Sequence, residues 1–332
     1  MKHSEFVSTS SRLMEAQEPF LVVGAPGIGK TEGLLQAAER VHARSVITHP
    51  VISEEVDYRG LPYVTAEGAT FLPFGFLRQL VEAHEPTVCI IDDIGQARLS
   101  VQAALMQLVH LREVDGTHIS DHVTFALATN RREDRAAVQG MVSALLDRCV
   151  CVLTLDVDAD ELARYLLQRN FAPMLAAFVR FRSVSLGHTT KNELEKSPTP
   201  RSIVGLGRLL NMGFESAEVL SGAVGPSFAT EFIAYRRLEA DLPQVEEILR
   251  NPKGAKVPKR DARDALFAVT CGLAAKLDAK TLEAGLIYLE RVPPEFSVLA
   301  LKDCAARMGE GELERVPAFA AWVEKHGELL GA

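Results

Sequence analysis

No stretch of this 332-residue chain is apolar for long enough to cross a bilayer, and the residues after Lys2 (Ser4, Glu5, Ser8, Ser10, Ser11) make no apolar signal core. Both absences point to the cytoplasm. The five cysteines, Cys89, Cys149, Cys151, Cys271 and Cys304, form no C-x-x-C pair. An odd count without that spacing suits reduced thiols in a core, not a disulfide framework. Cys149 and Cys151 alternate onto one face of an expected strand, but no histidine stands at ligand spacing beside them. His118 and His122 fall where a loop runs into a strand, so helical ligand geometry does not apply to them. Excess positive charge is also missing. Lys and Arg number 36 against 44 Asp and Glu, a formal charge of −8 that disfavours a general nucleic-acid binder. There is no internal repeat and no low-complexity tract. What remains is 47% hydrophobic and 24% charged, an ordinary globular composition long enough for more than one compact unit.

One stretch stands out. Gly24, Ala25, Pro26, Gly27, Ile28, Gly29, Lys30 and Thr31 lie between an apolar run, Phe20 to Val23, and a helical pattern carrying Leu34, Leu35 and Ala38. Glycines in such a loop let backbone N–H groups turn inward around phosphate oxygens, and the helix opening at Lys30 adds its positive end. Lys30 would reach the β and γ phosphates, and Thr31 would offer its hydroxyl to Mg²⁺. The implied ligand is ATP with its magnesium.

A second element is Val88-Cys89-Ile90-Ile91-Asp92-Asp93, an apolar run that ends in two carboxylates. Ligands of open α/β sheets bind at that carboxyl edge. Asp92 is expected at the metal and Asp93 at the attacking water. Acidic residues often end strands, so the pair gains meaning only from following a phosphate loop. Asn130 ends a third run, Val123 to Thr129, where its amide can hydrogen-bond the γ-phosphate or the water without adding charge. Taken alone, it would read as a turn-former.

The first half alternates β-rich runs with helical patterns: strands at 20–23, 44–48, 87–91, 122–129 and 149–155, helices at 30–42, 74–84 and 98–112. Runs that are apolar at every position predict strands covered on both faces, hence a parallel sheet wrapped by helices. After Asp158 the β-branched runs stop and helical patterns follow one another between prolines and glycines. Leu266, Val269, Leu273 and Leu277 recur at three- and four-residue steps, as a core face does. The basic run Lys253, Lys256, Lys259, Arg260 and Arg263 is broken by prolines and acids and reads first as a solvated loop. Trp322 reads as a packing anchor, with partner docking as the alternative.

In this order the elements resemble an AAA+ ATPase, and within that superfamily the MoxR-like branch. The resemblance covers about residues 15 to 215. It rests on the phosphate loop, on Asp92-Asp93 followed by Val101-Gln102-Ala103-Ala104-Leu105-Met106, on Ala128-Thr129-Asn130 as the sensor-1 strand end, and on Leu145-Leu146-Asp147-Arg148 as the arginine-finger element. Pro200-Arg201-Ser202 resembles the sensor-2 start of a lid, and Asp57 to Phe74 an inserted hairpin.

The resemblance implies an α/β P-loop AAA+ domain over 1–157, a helical lid over 158–224 and a helical C-terminal extension over 225–332. It implies that Arg148 completes the site of a neighbouring subunit in a hexameric ring, and that Arg201 couples the lid to the γ-phosphate. Without it, Arg148 would be a helix-end arginine paired with Asp147 or a carbonyl, and Arg201 a surface charge. Arg131 and Arg132 are lesser interface candidates. The implied activity is ATP hydrolysis coupled to chaperone-like remodelling of a protein client, with a von Willebrand factor type A domain protein as a partner class. The loops Tyr63 to Phe71 and Arg112 to Asp121 would carry the motion to the client. One departure is that Asp93 stands where the superfamily usually has glutamate, which implies slow hydrolysis. Two alternatives stay open: a nucleotide-gated switch that turns over too slowly to be a motor, and a DNA-directed helicase loader.

Overall fold

The computed structural model describes residues 1–65, 68–114, 116–131, 134, 143–183, 186–187 and 195–326. They divide into two units, Met1–Val157 and Asp158–Ala332. The first runs α1 (His3–Glu15), β1 (Phe20–Gly24), α2 (Lys30–Arg40), β2 (Arg44–Thr48), α3 (Val56–Arg59), β3 (Leu61–Thr65), β4 (Gly68–Leu72), α4 (Gly75–Val81) and β5 (Thr87–Ile91). It continues with α5 (Leu99–Leu111), β6 (Glu113–Val114), β7 (Thr117–His118), β8 (Val123–Asn130), α6 (Ser143–Leu146) and β9 (Val152–Thr154).

Five of these strands form a parallel sheet in the order β2-β5-β8-β1-β9. Every residue of β5 and β8 is buried, because helices cover both faces. Alternation along each strand divides the core in two. Leu21, Cys89, Ile91, Phe125 and Leu127 face Leu77 and Leu80 of α4 and Val101, Leu105 and Leu108 of α5. Phe20, Val22, Val88, Ile90 and Ala126 face Phe6 and Met14 of α1 and Leu34, Ala37 and Ala38 of α2. Each such side chain removed from water contributes about 1.5–3 kcal/mol. The register brings Gly24 beside Asn130 and Ile91 beside Leu127, so the ends of β1, β5 and β8 share one edge. Two antiparallel hairpins, β3–β4 and β6–β7, stand outside this sheet.

The expected strand over 149–155 is shorter. β9 begins at Val152, because α6 and the turn after it use residues through Val150. Cys149 packs against the α4–α5 side of the core and Cys151 against the α1–α2 side, so they do not share a strand face.

The second unit holds no strand among its described residues. It comprises α7 (Ala159–Gln168), α8 (Pro173–Phe181), α9 (Pro200–Asn211), α10 (Ala217–Val224), α11 (Pro226–Arg236), α12 (Val245–Arg250), α13 (Arg263–Lys276), α14 (Leu282–Leu289), α15 (Pro294–Met308), α16 (Glu310–Leu313) and α17 (Pro317–His326). Asp158 caps α7 by accepting from the Glu161 N–H, and a reciprocal Thr199–Ser202 box caps α9. Leu266, Val269, Leu273 and Leu277 are all buried, as is Trp322. α8 and α13 pack together, and so do α7 and α15. Their polar centre is Arg180 on α8, whose guanidinium donates two bonds to Asp303 on α15 at 2.6 and 2.7 Å and one to Asp160 at 3.0 Å. Both members of the bidentate pair are buried. Lys253, Lys256, Lys259, Arg260 and Arg263 are exposed; the first four lie on the irregular segment between α12 and α13 and Arg263 opens α13.

Candidate functional site

The loop after β1 owes its path to glycine. Gly27 and Gly29 have φ of 74° and 101°, the left-handed region open to a residue without a Cβ. A Cβ on Gly24 would lie 2.5 Å from Ile28 Cδ1 and 2.8 Å from the Leu155 carbonyl, so that position also needs glycine. Gly29 caps α2, which places Lys30 and Thr31 in its first turn.

The side chains of this loop meet those at the neighbouring strand ends. Lys30 is buried and its Nζ donates to Asn130 Oδ1 at 2.7 Å and to the Gly24 and Ala25 carbonyls at 3.0 Å each. Asn130 Nδ2 donates to Asp93 Oδ1 at 2.9 Å. The Asp93 N–H donates to Asp92 Oδ1 at 3.0 Å, and Thr31 Oγ1 donates to Asp92 Oδ2 at 2.7 Å. The circuit runs from Thr31 through Asp92, Asp93 and Asn130 to Lys30, which adjoins Thr31 in the chain. A buried ammonium and a buried carboxylate hold each other's surroundings polar here, as buried charges require. Asp93 itself has φ 56° and ψ 31°, a conformation in which aspartate and asparagine are enriched.

The donor set fits a phosphate chain with a hard divalent cation. The Lys30 ammonium at the start of a helix suits phosphate oxygens, and the Thr31 hydroxyl with the Asp92 carboxylate would supply the few oxygen ligands that Mg²⁺ takes beside phosphate and water. Among the described residues, no group of three or more His, Cys, Asp or Glu is placed to hold a metal by itself. Cys89, on the strand leading to Asp92, is buried and its thiol is pushed up to about 12 by desolvation, so it stays a neutral packing group.

The arginines do not join this circuit. Arg148 follows α6, where its Nη1 donates to the Ala144 carbonyl at 3.3 Å in the manner of a helix-end arginine. Its Nε is buried with no hydrogen-bond partner among the described residues. Arg131 bonds Asp134 at 2.9 and 3.2 Å, and Arg132 lies outside the described residues. Arg201 is exposed in the first turn of α9, in the second unit. In the insert, Leu61, Tyr63, Val64 and Leu72 of β3–β4 are exposed, and residues 66–67 at its turn lie outside the described residues. Arg112 is tied into the base of the β6–β7 loop by bonds to the Ser120 and Val123 carbonyls at 3.0 and 2.9 Å.

Residues 19–149 match the family model of the AAA domain, dynein-related subfamily. This part of the chain has the AAA+ fold. The match spans the loop, Asp92-Asp93, Asn130 and Arg148. No curated protein matches the chain. Among solved structures, it is similar to Thermotoga maritima RuvB, described as a Holliday junction branch migration motor, at 18% identity over 87% of each chain with a TM-score of 0.41. It is also similar to NtrX from Brucella abortus in complex with ADP, at 12% identity over 99% of this chain and 68% of that one, with a TM-score of 0.42.

Three residues of the first unit near the site escape motif reading. The His3 ring lies beside the loop, its Cε1 3.6 Å from where a Cβ on Gly29 would stand, and its Nε2 is 3.1 Å from Gln36 Oε1. Thr48 and Tyr58 share a buried hydrogen bond of 2.8 Å. Burial raises the Tyr58 phenol above its ordinary range, against the opposing bonds from Ser53 and Thr48, and keeps it a neutral hydroxyl. A polar residue ending β2 beside the strand of the paired acids was the available signal for Thr48.

Proposed function

We propose that this chain binds ATP with Mg²⁺ at Gly24–Thr31, hydrolyses it, and uses the cycle to remodel a protein client as a MoxR-like member of the AAA+ superfamily. The closed circuit joining Lys30, Thr31, Asp92, Asp93 and Asn130 is the observation that carries this reading. Magnesium, when bound, would neutralise charge on the β and γ phosphates. Lys30 then holds phosphate oxygens, Thr31 and Asp92 hold the cation, and Asp93 takes a proton from the attacking water while Asn130 orients it. Arg148 acts from a neighbouring subunit of a hexameric ring, for which its unpartnered Nε is the supporting observation. Arg201 couples the helical lid to the nucleotide. The exposed apolar residues of β3–β4 support contact with a protein, and the charge of −8 supports a protein over a nucleic acid. A von Willebrand factor type A domain protein is the partner class that the MoxR resemblance supplies, and the cytoplasm is its place of work.

Calorimetry tests the reading directly: heat of ATP binding in the presence of magnesium, lost in Lys30→Ala, supports it, and no uptake by folded protein overturns it. Capture on Asp93→Asn protein with ATP, compared with Lys30→Ala, then identifies the client. A slow nucleotide-gated switch is the second reading, favoured by the short Asp93 side chain already engaged with Asn130. Turnover with and without the captured client separates the two.

A further inference from the structure

The paired acids are tied to the β3–β4 hairpin through a short buried path. The Asp92 N–H donates to the Thr48 carbonyl at 3.0 Å, across the β2–β5 pair in which Thr48 stands opposite Ile91. Thr48 Oγ1 shares its 2.8 Å hydrogen bond with the Tyr58 hydroxyl. Tyr58 is fully packed in the core, its ring edge-on to Phe76 with centroids 5.3 Å apart. Arg59 and Gly60 alone separate it from β3, and the Arg59 guanidinium lies 5.7 Å above the Phe71 ring of β4. On the other side Thr31 holds Asp92. A second link, the bidentate Arg98–Glu54 pair at 2.7 and 3.1 Å, spans the same two regions. Both of its members are solvent-exposed, so water and salt weaken it. The Thr48–Tyr58 bond is buried, where losing one partner strands a polar group, so it dominates the connection.

We infer that Tyr58 is a positioning residue which, through Thr48, couples the exposed hairpin to the Asp92-Asp93 pair, so that nucleotide state at the loop is felt at the hairpin. This rests on the nucleotide reading above. A bound cation drawing on Asp92 shifts the strand end whose amide Thr48 holds, and the tyrosine hydroxyl carries that shift to the root of β3.

Hydrogen–deuterium exchange of the full chain, with and without ADP and magnesium, tests this at two places. In the unaltered protein the nucleotide slows exchange in peptides from the 24–34 loop and also in peptides covering 58–72, the latter by about two- to thirtyfold. Tyr58→Phe and Thr48→Val keep the first response and lose the second, whereas Thr48→Ser, which retains the hydroxyl, keeps both. A residue that only stabilised the fold would change hairpin exchange equally with and without nucleotide. Survival of the hairpin response in Tyr58→Phe, or its absence from the unaltered protein while the loop is protected, overturns the inference. Absence of protection at the loop itself would instead remove the nucleotide reading, and the coupling with it.

Discussion

Lys30 Nζ stands 2.7 Å from Asn130 Oδ1, which joins the first turn of α2 to the end of β8. The contact matters because it joins a helix start to a strand end a hundred residues away in sequence, and because on the reading proposed above each residue would touch the same phosphate group. Bonds to Asn130 and to the Gly24 and Ala25 carbonyls hold the Lys30 ammonium in place, which on that reading would lower the entropy lost when a phosphate binds.

Replacing Lys30 by alanine should weaken ATP binding by about ten- to a hundredfold, the worth of a charge-assisted hydrogen bond. Titration calorimetry reads this, and unchanged affinity would refute the assignment of Lys30.

Asp93→Asn should bind ATP as the unaltered chain does and lose about 10²–10⁴ in turnover, since an amide accepts no proton. Asparagine also tolerates the left-handed backbone found there, so the fold should persist. Asp93→Glu restores the side-chain length usual in the superfamily and should leave activity intact or raise it. Phosphate release under saturating ATP measures both; full turnover by the asparagine variant would mean that the water has another base.

Arg148→Ala should lower hydrolysis by about 10³–10⁵ without changing nucleotide affinity, if the guanidinium serves a neighbouring site. Mixing it with Lys30→Ala subunits should restore part of the activity, because such assemblies contain an interface with an intact loop on one side and an intact arginine on the other. Mixtures as inactive as their components would count against action between subunits.

Arg180→Ala should destabilise the second unit by about 3–5 kcal/mol, because it leaves buried Asp303 with only the Arg164 guanidinium, 3.8 Å away, as a counter-charge. The double replacement Arg180→Met with Asp303→Leu should recover most of that loss. Chemical denaturation of the single and double variants distinguishes a balanced pair from one that stabilises strongly.

Thiol chemistry should follow burial. Desolvation pushes Cys89 up to about 12 and Cys271 up to about 11, so at pH 8 neither should react in the folded chain; half-buried Cys149 is likewise pushed up to about 11, which leaves half-buried Cys151 to label first. The same shifts give a pH dependence. Because the folded values lie above the unfolded one of about 8.5, stability from Cys89 and Cys271 is complete below that pH and is lost as pH rises toward 11 and 12. Mass spectrometry of labelled protein and denaturation between pH 8 and 11 check the two statements.

Much of the sheet was legible because β1, β5 and β8 are mostly apolar and buried. β2 and β5 occupy the expected 44–48 and 87–91. α1 was not legible: its buried face alternates Phe6 and Met14 with Ser10 and Ser11, and two buried serines dilute a helical hydrophobic period. The start of β9 was obscured by Val150, a β-branched residue that belongs to the bend before the strand. At the site, Lys30, Thr31, Asp92, Asp93 and Asn130 each belong to a local pattern, and the sheet register brings them together. No pattern pairs Thr48 with Tyr58, since their contact depends on where α3 folds back against the edge strand.

The placement of β1 inside the sheet has a consequence for biosynthesis. Phe20 pairs with Ala126 and Leu21 with Val152, so the strand leading into the phosphate cradle has no neighbours until β8 and β9 have left the ribosome. The loop is therefore translated before the strands that flank β1 and takes its shape only after them, and a nascent chain interrupted ahead of β8 would carry the complete motif with nothing to hold it open.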